Sequence, residues 1–392
     1  MDLLNKICAR SATVAIVFIG VAANIPAQTP RIRDSVGIRI VENPSRLKAP
    51  IVFTLGTKPN VDIGGLDDDP DKELNSKNPY PRAIRLEDGR IAVIDRTRIQ
   101  FFDRTGKRVR ITGRSGGGPG EFGTVTALCR THGDTVFASD EQNRRVSILS
   151  ETGEFHSVAT LPVGHFSERE FCLTDGTFIA NQIIPTGRGS DGLIRINHIN
   201  RAGSVMNMIA EVNTGVFDMA IRRESPVSAW GQSVAFGDAI DYEIRVFSAS
   251  GKLATVIRTA DKPEPISRAE LEKLTPLGVR ANSTEAERRD DARRIAAASH
   301  TKTWPAYDRL LPDLSGRLWM QDWRQNQAAL EPEGWTAFDA SGKMIGRLII
   351  PAPTSKEQRQ FVVHFGRDEV FIRRLDENGA LHYIAYPIVS KK

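Results

Sequence analysis

Two short turn motifs alternate along most of this 392-residue chain and constrain its fold more than any other feature. The first motif is a tight turn followed at once by an apolar strand, and the second is a glycine that closes a hairpin. First turns fall at Gly89, Gly133, Gly176, Gly231, Gly316 and Asp368, and closing glycines at Gly106, Gly153, Gly203, Gly251 and Gly342. Glycine suits both because such turns need positive φ. The pattern predicts antiparallel hairpins in series.

The spacing of the first turns indicates the architecture. They lie 44 residues apart from Gly89 to Gly133, then 43 to Gly176 and 55 to Gly231, and an insertion lengthens the next interval. A period of about 40–50 residues with four short strands is typical of a β-propeller blade. Six first turns predict an all-β, six-bladed β-propeller with four-stranded antiparallel blades.

The last repeat offers only three strands of its own. A strand from the N-terminal region, 38–43 or 51–55, is therefore expected to complete the final blade, because an open sheet edge invites association with other chains. Residues 29–392 are then a single domain closed by an N-terminal strand.

Residues 1–28 have the pattern of an export signal. Basic residues precede an apolar stretch over 12–23, and the small residue Ala27 precedes Gln28. The stretch is shorter than the roughly 20 residues that span a bilayer. We expect a periplasmic or secreted protein with no stable membrane insertion after cleavage, an uncleaved anchor being the alternative.

The charge balance of the chain excludes one class of partner. The chain has 53 Lys and Arg against 48 Asp and Glu, scattered along its length, so no nucleic-acid partner is expected. The sequence gives no indication of oligomeric state.

Cys129 and Cys172 remain after removal of the signal, and an oxidising compartment favours a disulfide between them. Their equal spacing from the following turns instead favours two separate buried thiols, and both alternatives stand.

The connections divide into two classes. Tight turns occupy one end of each predicted blade, the short-turn end, which leaves little surface for specificity. The other end, the long-loop end, receives the long segments 113–122, 161–170, 181–192, 211–230 and 323–334. Long loops on a rigid scaffold usually carry function, so the long-loop end is the predicted binding face.

An insertion over about 261–302, between blades four and five, also reaches the long-loop end. Ser267 with Glu270, and Thr284 with Glu287, fit the capping-box pattern at helix starts. Two helices are expected, over about 268–275 and 285–298. They either cap the channel mouth or rest passively on the surface.

Residues 113–155 resemble an NHL-type repeat, through the lead-in Gly118-Pro119-Gly120-Glu121-Phe122 and then Asp140, Asn143, Arg145 and Val146. The whole mature chain looks like the secreted bacterial six-bladed propellers related to NHL repeats. That resemblance implies a binding platform, with lactonases and lyases as enzymatic branches. It also implies structural roles for Asp140 and Asn143, bonded to their own turn, and for Arg145, packed across strands.

Aromatic and arginine side chains near the long loops are the predicted ligand-binding residues, because both types are enriched in interfaces. They are Arg82, Phe122, Arg144, Arg145, His165, Trp304, Tyr307, Trp323 and Arg324. Arg82 is expected to reach the channel mouth and favour an anionic ligand. The aromatic residues have an alternative role as wedges between blades.

No metal-binding or nucleophile motif is present, so the sequence predicts no catalytic residue, metal site or cofactor. The acidic residues 67–69 and 71 leave calcium as an alternative to a solvated loop. The predicted function is an exported, non-catalytic binding or scaffolding propeller that recognises a protein, peptide or glycan. The alternative is a channel-centred hydrolase or lyase, lactonase-like, with or without a metal.

Overall fold

The computed structural model describes residues 29–65, 74, 82–131, 133–166, 171–185, 192–213, 226–271, 284–298, 302–324, 330–355, 357–358 and 360–390. The fold is nearly all β, with few helices and repeated four-stranded antiparallel sheets, as in a β-propeller. The predicted export signal and the acidic residues 67–71 lie outside the described residues.

The N-terminal segment precedes the repeated sheets. It contains β1 (Arg31–Ser35), β2 (Ile38–Asn43), a 3-10 helical turn (Arg46–Lys48), β3 (Phe53–Leu55) and β4 (Val61–Gly64).

Three four-stranded sheets follow, each with its strands paired in chain order. The first sheet has β5 (Ala83–Arg85), β6 (Ile91–Asp95), β7 (Arg98–Phe102) and β8 (Arg108–Thr112). The second has β9 (Val125–Arg130), β10 (Val136–Asp140), β11 (Arg145–Leu149) and β12 (Phe155–Thr160). The third has β13 (His165–Phe166), β14 (Phe178–Pro185), β15 (Gly192–Ile199) and β16 (Val205–Asn213).

Three further strand groups continue the same order and also pair with the N-terminal segment. The fourth has β17 (Val227–Trp230), β18 (Ser233–Phe236), β19 (Glu243–Ser248) and β20 (Leu253–Thr259). The fifth has β21 (Tyr307–Pro312), β22 (Leu318–Asp322), β23 (Glu333–Phe338) and β24 (Met344–Ile350). The sixth has β25 (Gln360–Phe365), β26 (Glu369–Leu375) and β27 (Leu381–Ser390).

The closing turns explain why their sequence recurs. Gly106 has φ +91° and Gly342 has φ +81°, as the hairpin interpretation requires. The strand register shifts beside these turns in the first five sheets, for example between Phe101 and Phe102. Asp103 Oδ1 accepts hydrogen bonds from the N–H groups of Thr105 and Lys107, at 2.9 and 3.0 Å. Glycine at positive φ and an acceptor side chain therefore fix the hairpin together.

The N-terminal segment runs along the outer edges of the fourth, fifth and sixth sheets. Strand β2 pairs in parallel with β20, and β3 pairs with both β24 and β27. Strand β4 pairs antiparallel with β27 and supplies the fourth strand of the last sheet. Residues 61–64 and 53–55 therefore both pair with β27, at 382–385 and 388–390, whereas 38–43 pairs with β20. In β4 only Val61 and Ile63 are buried, so its apolar signal consists of two alternating residues.

A histidine ties β4 to β27. His382 Nδ1 lies 2.8 Å from Asp62 Oδ1, and its Nε2 lies 3.6 Å from Asp376 Oδ2. The hydrogen bond to Asp62 and the two carboxylate charges raise the pKa of His382 against the opposing effect of burial. The imidazole therefore stabilises the pairing of β4 when it is protonated.

We expect this contact to make stability depend on pH. Because the pKa of His382 is higher in the folded than in the unfolded chain, its contribution is complete below the ordinary pKa of about 6.5 and is lost as pH rises through the folded pKa. His382→Gln should flatten this dependence, which we place at about 0.5–1 kcal/mol because Asp62 is partly exposed. Urea unfolding across pH measures it. Exposed His156→Gln is the control, and an unchanged pH dependence in His382→Gln would exclude the contact.

The cores lie between neighbouring sheets. Phe101 of the first sheet packs with Val136 and Leu149 of the second in one buried cluster. Trp319 of the fifth sheet stacks on Phe365 of the sixth, with ring centroids 4.6 Å apart. Face-to-face burial of this kind joins each sheet to the next.

Polar contacts join neighbouring sheets at the short-turn end. Asp134 accepts hydrogen bonds from the N–H groups of Glu87 and Asp88, which links the second sheet to the first. Further links are Thr174 N–H to the Gly231 carbonyl, Trp230 Nε1–H to the Gly316 carbonyl, Ser315 Oγ–H to the Arg367 carbonyl, and Arg85 to Glu369. The first turns are therefore held to one another as well as within their own sheets.

Cys129 and Cys172 form a disulfide between the second and third sheets. The argument from equal spacing, which favoured two separate thiols, fails because Cys172 does not lie in a regular strand. It makes only an isolated β-bridge with Phe178. Strand alternation therefore does not determine the direction of its side chain.

Two helices lie between β20 and β21. They are α1 (Arg268–Leu271) and α2 (Glu285–Ala298), and residues 272–283 lie outside the described part. Both capping boxes are confirmed: Glu270 accepts from Ser267 N–H at 2.7 Å, and Glu287 accepts from Thr284 N–H at 2.7 Å. No helix in the described part of the chain is long and apolar enough to cross a bilayer.

Candidate functional site

Two predicted aromatic residues meet at the long-loop end. Trp304 lies just before β21, where its backbone N–H donates to the Glu264 carbonyl at 2.8 Å. Trp323 follows β22 directly. Their rings stack with centroids 4.9 Å apart and planes 26° from parallel. Trp304 is 9% exposed, whereas Trp323 is half-buried. The pair thus leaves part of the Trp323 indole accessible, directly after the end of β22.

A buried charge cluster lies beside this pair. The Glu333 carboxylate accepts from Gln321 Nε2 at 2.7 Å, from Trp335 Nε1 at 2.9 Å and from Arg309 Nη2 at 3.3 Å. Arg324, next to Trp323 in the chain, reaches Glu333 at 3.4 Å. Burial raises the pKa of Glu333, although the two guanidinium groups oppose that shift.

Arg309 connects the cluster to the next sheet. Its Nη1 donates to the Val362 carbonyl of β25 at 2.8 Å, and its guanidinium lies over the Trp335 ring at 5.3 Å. Sequence reasoning missed Arg309 and Glu333. A charged residue within the apolar strand β21 is the signal that would have found Arg309, whereas Glu333 lies in a Pro- and Gly-containing stretch that looks like loop.

Two predicted ligand-binding aromatics are core residues instead. Phe122 is fully buried between the first and second sheets, and its ring lies 2.3 Å from where a Cβ on Gly113 would project. Tyr307 is 1% exposed, and its hydroxyl donates to the Glu243 carbonyl at 2.7 Å. Burial also raises the pKa of Tyr307. Both have the inter-sheet wedge role that was the alternative.

Arg145 holds a loop. Its guanidinium donates to the carbonyls of Gly117, Gly118 and Glu121, at 2.7–2.9 Å. Asp140 accepts from the N–H groups of Gly123 and Thr124 as well as from Asn143. Asp140 and Arg145 thus attach the preceding segment, 113–124, to the second sheet, so their contacts extend beyond their own turn.

Three further predicted ligand-binding residues, Arg82, His165 and Arg144, make no contact with the tryptophan pair among the contacts of the described residues. Arg82 is buried, and its charge opposes the rise that burial gives to the pKa of Tyr383. His165 is half-buried, with Nε2 at 3.1 Å from Asn197 Nδ2 in the third sheet. Arg144 is exposed, with φ +50°.

The short-turn end holds a cavity where little surface was expected. It measures about 550 Å³ and is lined by Asn60, Arg85, Arg130, Leu314, Arg367 and Asp368, among others. Charged residues at the strand ends frame a recess although the turns themselves are tight.

No three His, Cys, Asp or Glu side chains of the described ranges gather as a metal-binding group. The acidic residues 67–69 and 71, the alternative calcium ligands, fall outside those ranges.

Comparison with known proteins shows similarity of fold. No protein-family model matches the chain, and no curated protein matches it. A predicted exported protein of Bacteroides fragilis NCTC 9343 aligns with TM-score 0.54 and 12% identity, over 90% of this chain and 100% of that one. A DUF4221 family member from Bacteroides vulgatus ATCC 8482 aligns with TM-score 0.51 and 10% identity, over 86% and 99%. Virginiamycin B lyase from Staphylococcus aureus aligns with TM-score 0.41 and 10% identity, over 85% and 99%.

Proposed function

We propose that residues 29–392 form one six-bladed β-propeller, related to NHL-repeat propellers, whose blades are the six strand groups and whose last blade is completed by β4. The contacts between consecutive sheets support this, including Arg85 of the first sheet with Glu369 of the sixth. Residues 1–28 direct export to the periplasm or beyond, and cleavage beside Gln28 removes this segment. The N-terminal sequence of the exported chain tests that cleavage.

The function we propose is ligand binding at the long-loop end, without chemistry. The supporting observation is the half-buried Trp323, stacked on Trp304 beside Arg324. An indole face offers rigid apolar area at low entropic cost, and the Arg324 side chain, 11% exposed and paired with Glu333, holds the chain in place beside it. An indole positioned in this way suits the C–H face of a sugar ring, so we favour a glycan over a protein or peptide. Helix α2 acts as a cap at this mouth.

Calorimetric titration of the mature chain with cello-, xylo-, chito- and manno-hexaoses tests the proposal. We expect at least one sugar to bind, and Trp323→Ala to weaken that binding about tenfold or more, equivalent to about 1.4 kcal/mol. Trp230→Ala, which changes a half-buried tryptophan at the short-turn end, is the matched control. Absence of binding by all four sugars, or equal binding by Trp323→Ala, would contradict the glycan proposal.

A second candidate is a channel-centred hydrolase or lyase, and the observation in its favour is Glu333. A buried carboxylate with a raised pKa is suited to proton transfer. The same titration distinguishes binding from catalysis if the sugars are recovered afterwards and analysed by mass spectrometry. Intact sugars support binding, whereas shortened or unsaturated products support catalysis.

A further inference from the structure

We propose that the cavity at the short-turn end binds a small zwitterion, such as a free amino acid or a dipeptide. This site lies at the opposite end from Trp323 and is independent of the glycan proposal. Its volume, about 550 Å³, falls within the range of about 300–1,000 Å³ that small-molecule sites occupy.

Most charges around the cavity are neutralised within the protein. Arg85 donates to both Glu369 oxygens, at 2.5 and 2.9 Å, and these side chains are only 12% and 11% exposed. Arg130 lies 3.0 Å from Glu87 and 3.7 Å from Asp134. A ligand would have to break these pairs to use Arg85, Glu369 or Arg130, so these three line the cavity without binding the ligand, whereas the Glu87 side chain is 40% exposed.

Two neighbouring groups on the first turn of the sixth sheet are available instead. Arg367 is exposed, and no hydrogen bond or ion pair to its guanidinium occurs within the described ranges. The Asp368 side chain is 74% exposed, and its nearest recorded cation, Arg317, is 3.8 Å away. The cavity rim thus presents one cation and one anion side by side.

The backbone of this turn is fixed although its side chains are not. The Arg367 carbonyl accepts from Ser315 Oγ at 2.9 Å and from Arg317 Nη2 at 2.5 Å. The Asp368 carbonyl accepts from Ile388 N–H at 2.7 Å. A turn held in this way fixes the backbone of both charged residues before a ligand arrives, so that only their side chains lose freedom on binding.

The adjacent charges select the class of ligand. A simple anion would meet Asp368 and Glu87, and a simple cation would meet Arg367. A zwitterion satisfies both, with its carboxylate on Arg367 and its ammonium on Asp368. Leu314 and Leu86 provide apolar wall for a side chain.

Titration of the mature chain with three probes tests this proposal: the dipeptide Ala-Leu, its N-acetyl derivative and its C-terminal amide. We expect Ala-Leu to bind, and each derivative to bind about tenfold or more weakly, because each lacks one charge. Arg367→Gln and Asp368→Asn should weaken Ala-Leu binding by a similar factor. Arg90→Gln, which disrupts the surface pair with Asp88 outside the cavity, should leave it unchanged.

The three probes require no substitution, so the result does not depend on the folding of a variant. Absence of Ala-Leu binding at a ligand concentration of about 10 mM, which is about tenfold above a Kd of 1 mM, would overturn the proposal. Equal binding of the three probes, or wild-type binding by both cavity variants, would also overturn it. Trp323→Ala should bind Ala-Leu normally, which separates this site from the glycan site.

Discussion

Deletion of residues 36–55 should leave a chain that does not unfold as one cooperative unit. The segment contributes β2, paired with β20, and Phe53, buried against the fifth sheet. It also contributes Arg46, whose guanidinium bonds Asp322 at 2.7 Å and Tyr242 at 2.6 Å. Loss of a buried aromatic costs about 3–5 kcal/mol, and loss of one partner of a buried ion pair costs a similar amount. Together these approach the whole stability of a typical domain, about 5–15 kcal/mol.

Differential scanning calorimetry of the mature chain measures this effect. Deletion of residues 29–35 is the matched control, because it removes only β1, which is mostly exposed and pairs with β2 alone. That shorter chain should melt close to the full one. An unchanged cooperative transition after deletion of 36–55 would show that the N-terminal segment does not hold the outer edges together.

Glu369→Ala should lower the free energy of unfolding by about 3 kcal/mol, because it leaves the guanidinium of Arg85 largely buried without its carboxylate. Glu369 accepts two bonds from Arg85 and one from Asn60 Nδ2 at 3.0 Å. These contacts join the sixth sheet to the first and to the segment before β4. Urea unfolding at neutral pH measures the change.

The control for this substitution is Glu154→Ala. Glu154 pairs with Arg110 at 3.2 Å and also joins two sheets, but the side chains are 63% and 39% exposed. An exposed pair of this kind contributes about 0–1 kcal/mol, so little change is expected. Equal effects of the two substitutions would refute the special role of the Arg85–Glu369 contact.

The repeated sheets were predictable because turn chemistry is local. Gly106 and Gly342 must adopt positive φ whatever surrounds them, and Asp103 bonds its own turn, so each hairpin is visible in a few residues. Strand β4 was not predicted because its pattern is two buried residues followed by Gly64. That glycine is required by a distant contact: a Cβ there would lie 2.0 Å from the Leu381 carbonyl oxygen. Contacts between the ends of a chain leave little local signal.

The site was predictable only in part. Trp304 and Trp323 were predicted because one precedes β21 and the other follows β22, at the end of the sheet where the long loops were expected. Phe122 and Tyr307 were assigned to the same face, yet each fills space between sheets, and residue type alone does not separate these outcomes. The Glu333 cluster was missed because its partners lie on β21, β22 and β23, and only the paired strands bring them together.

Hydrogen exchange of the backbone amides, with and without the best-binding hexaose, tests the central claim that ligands bind at the long-loop end. The proposal predicts slower exchange over 302–306 and 321–324, with no change in the first turns at 87–89 and 314–317. Protection confined to those first turns, or spread evenly over both ends, would contradict it.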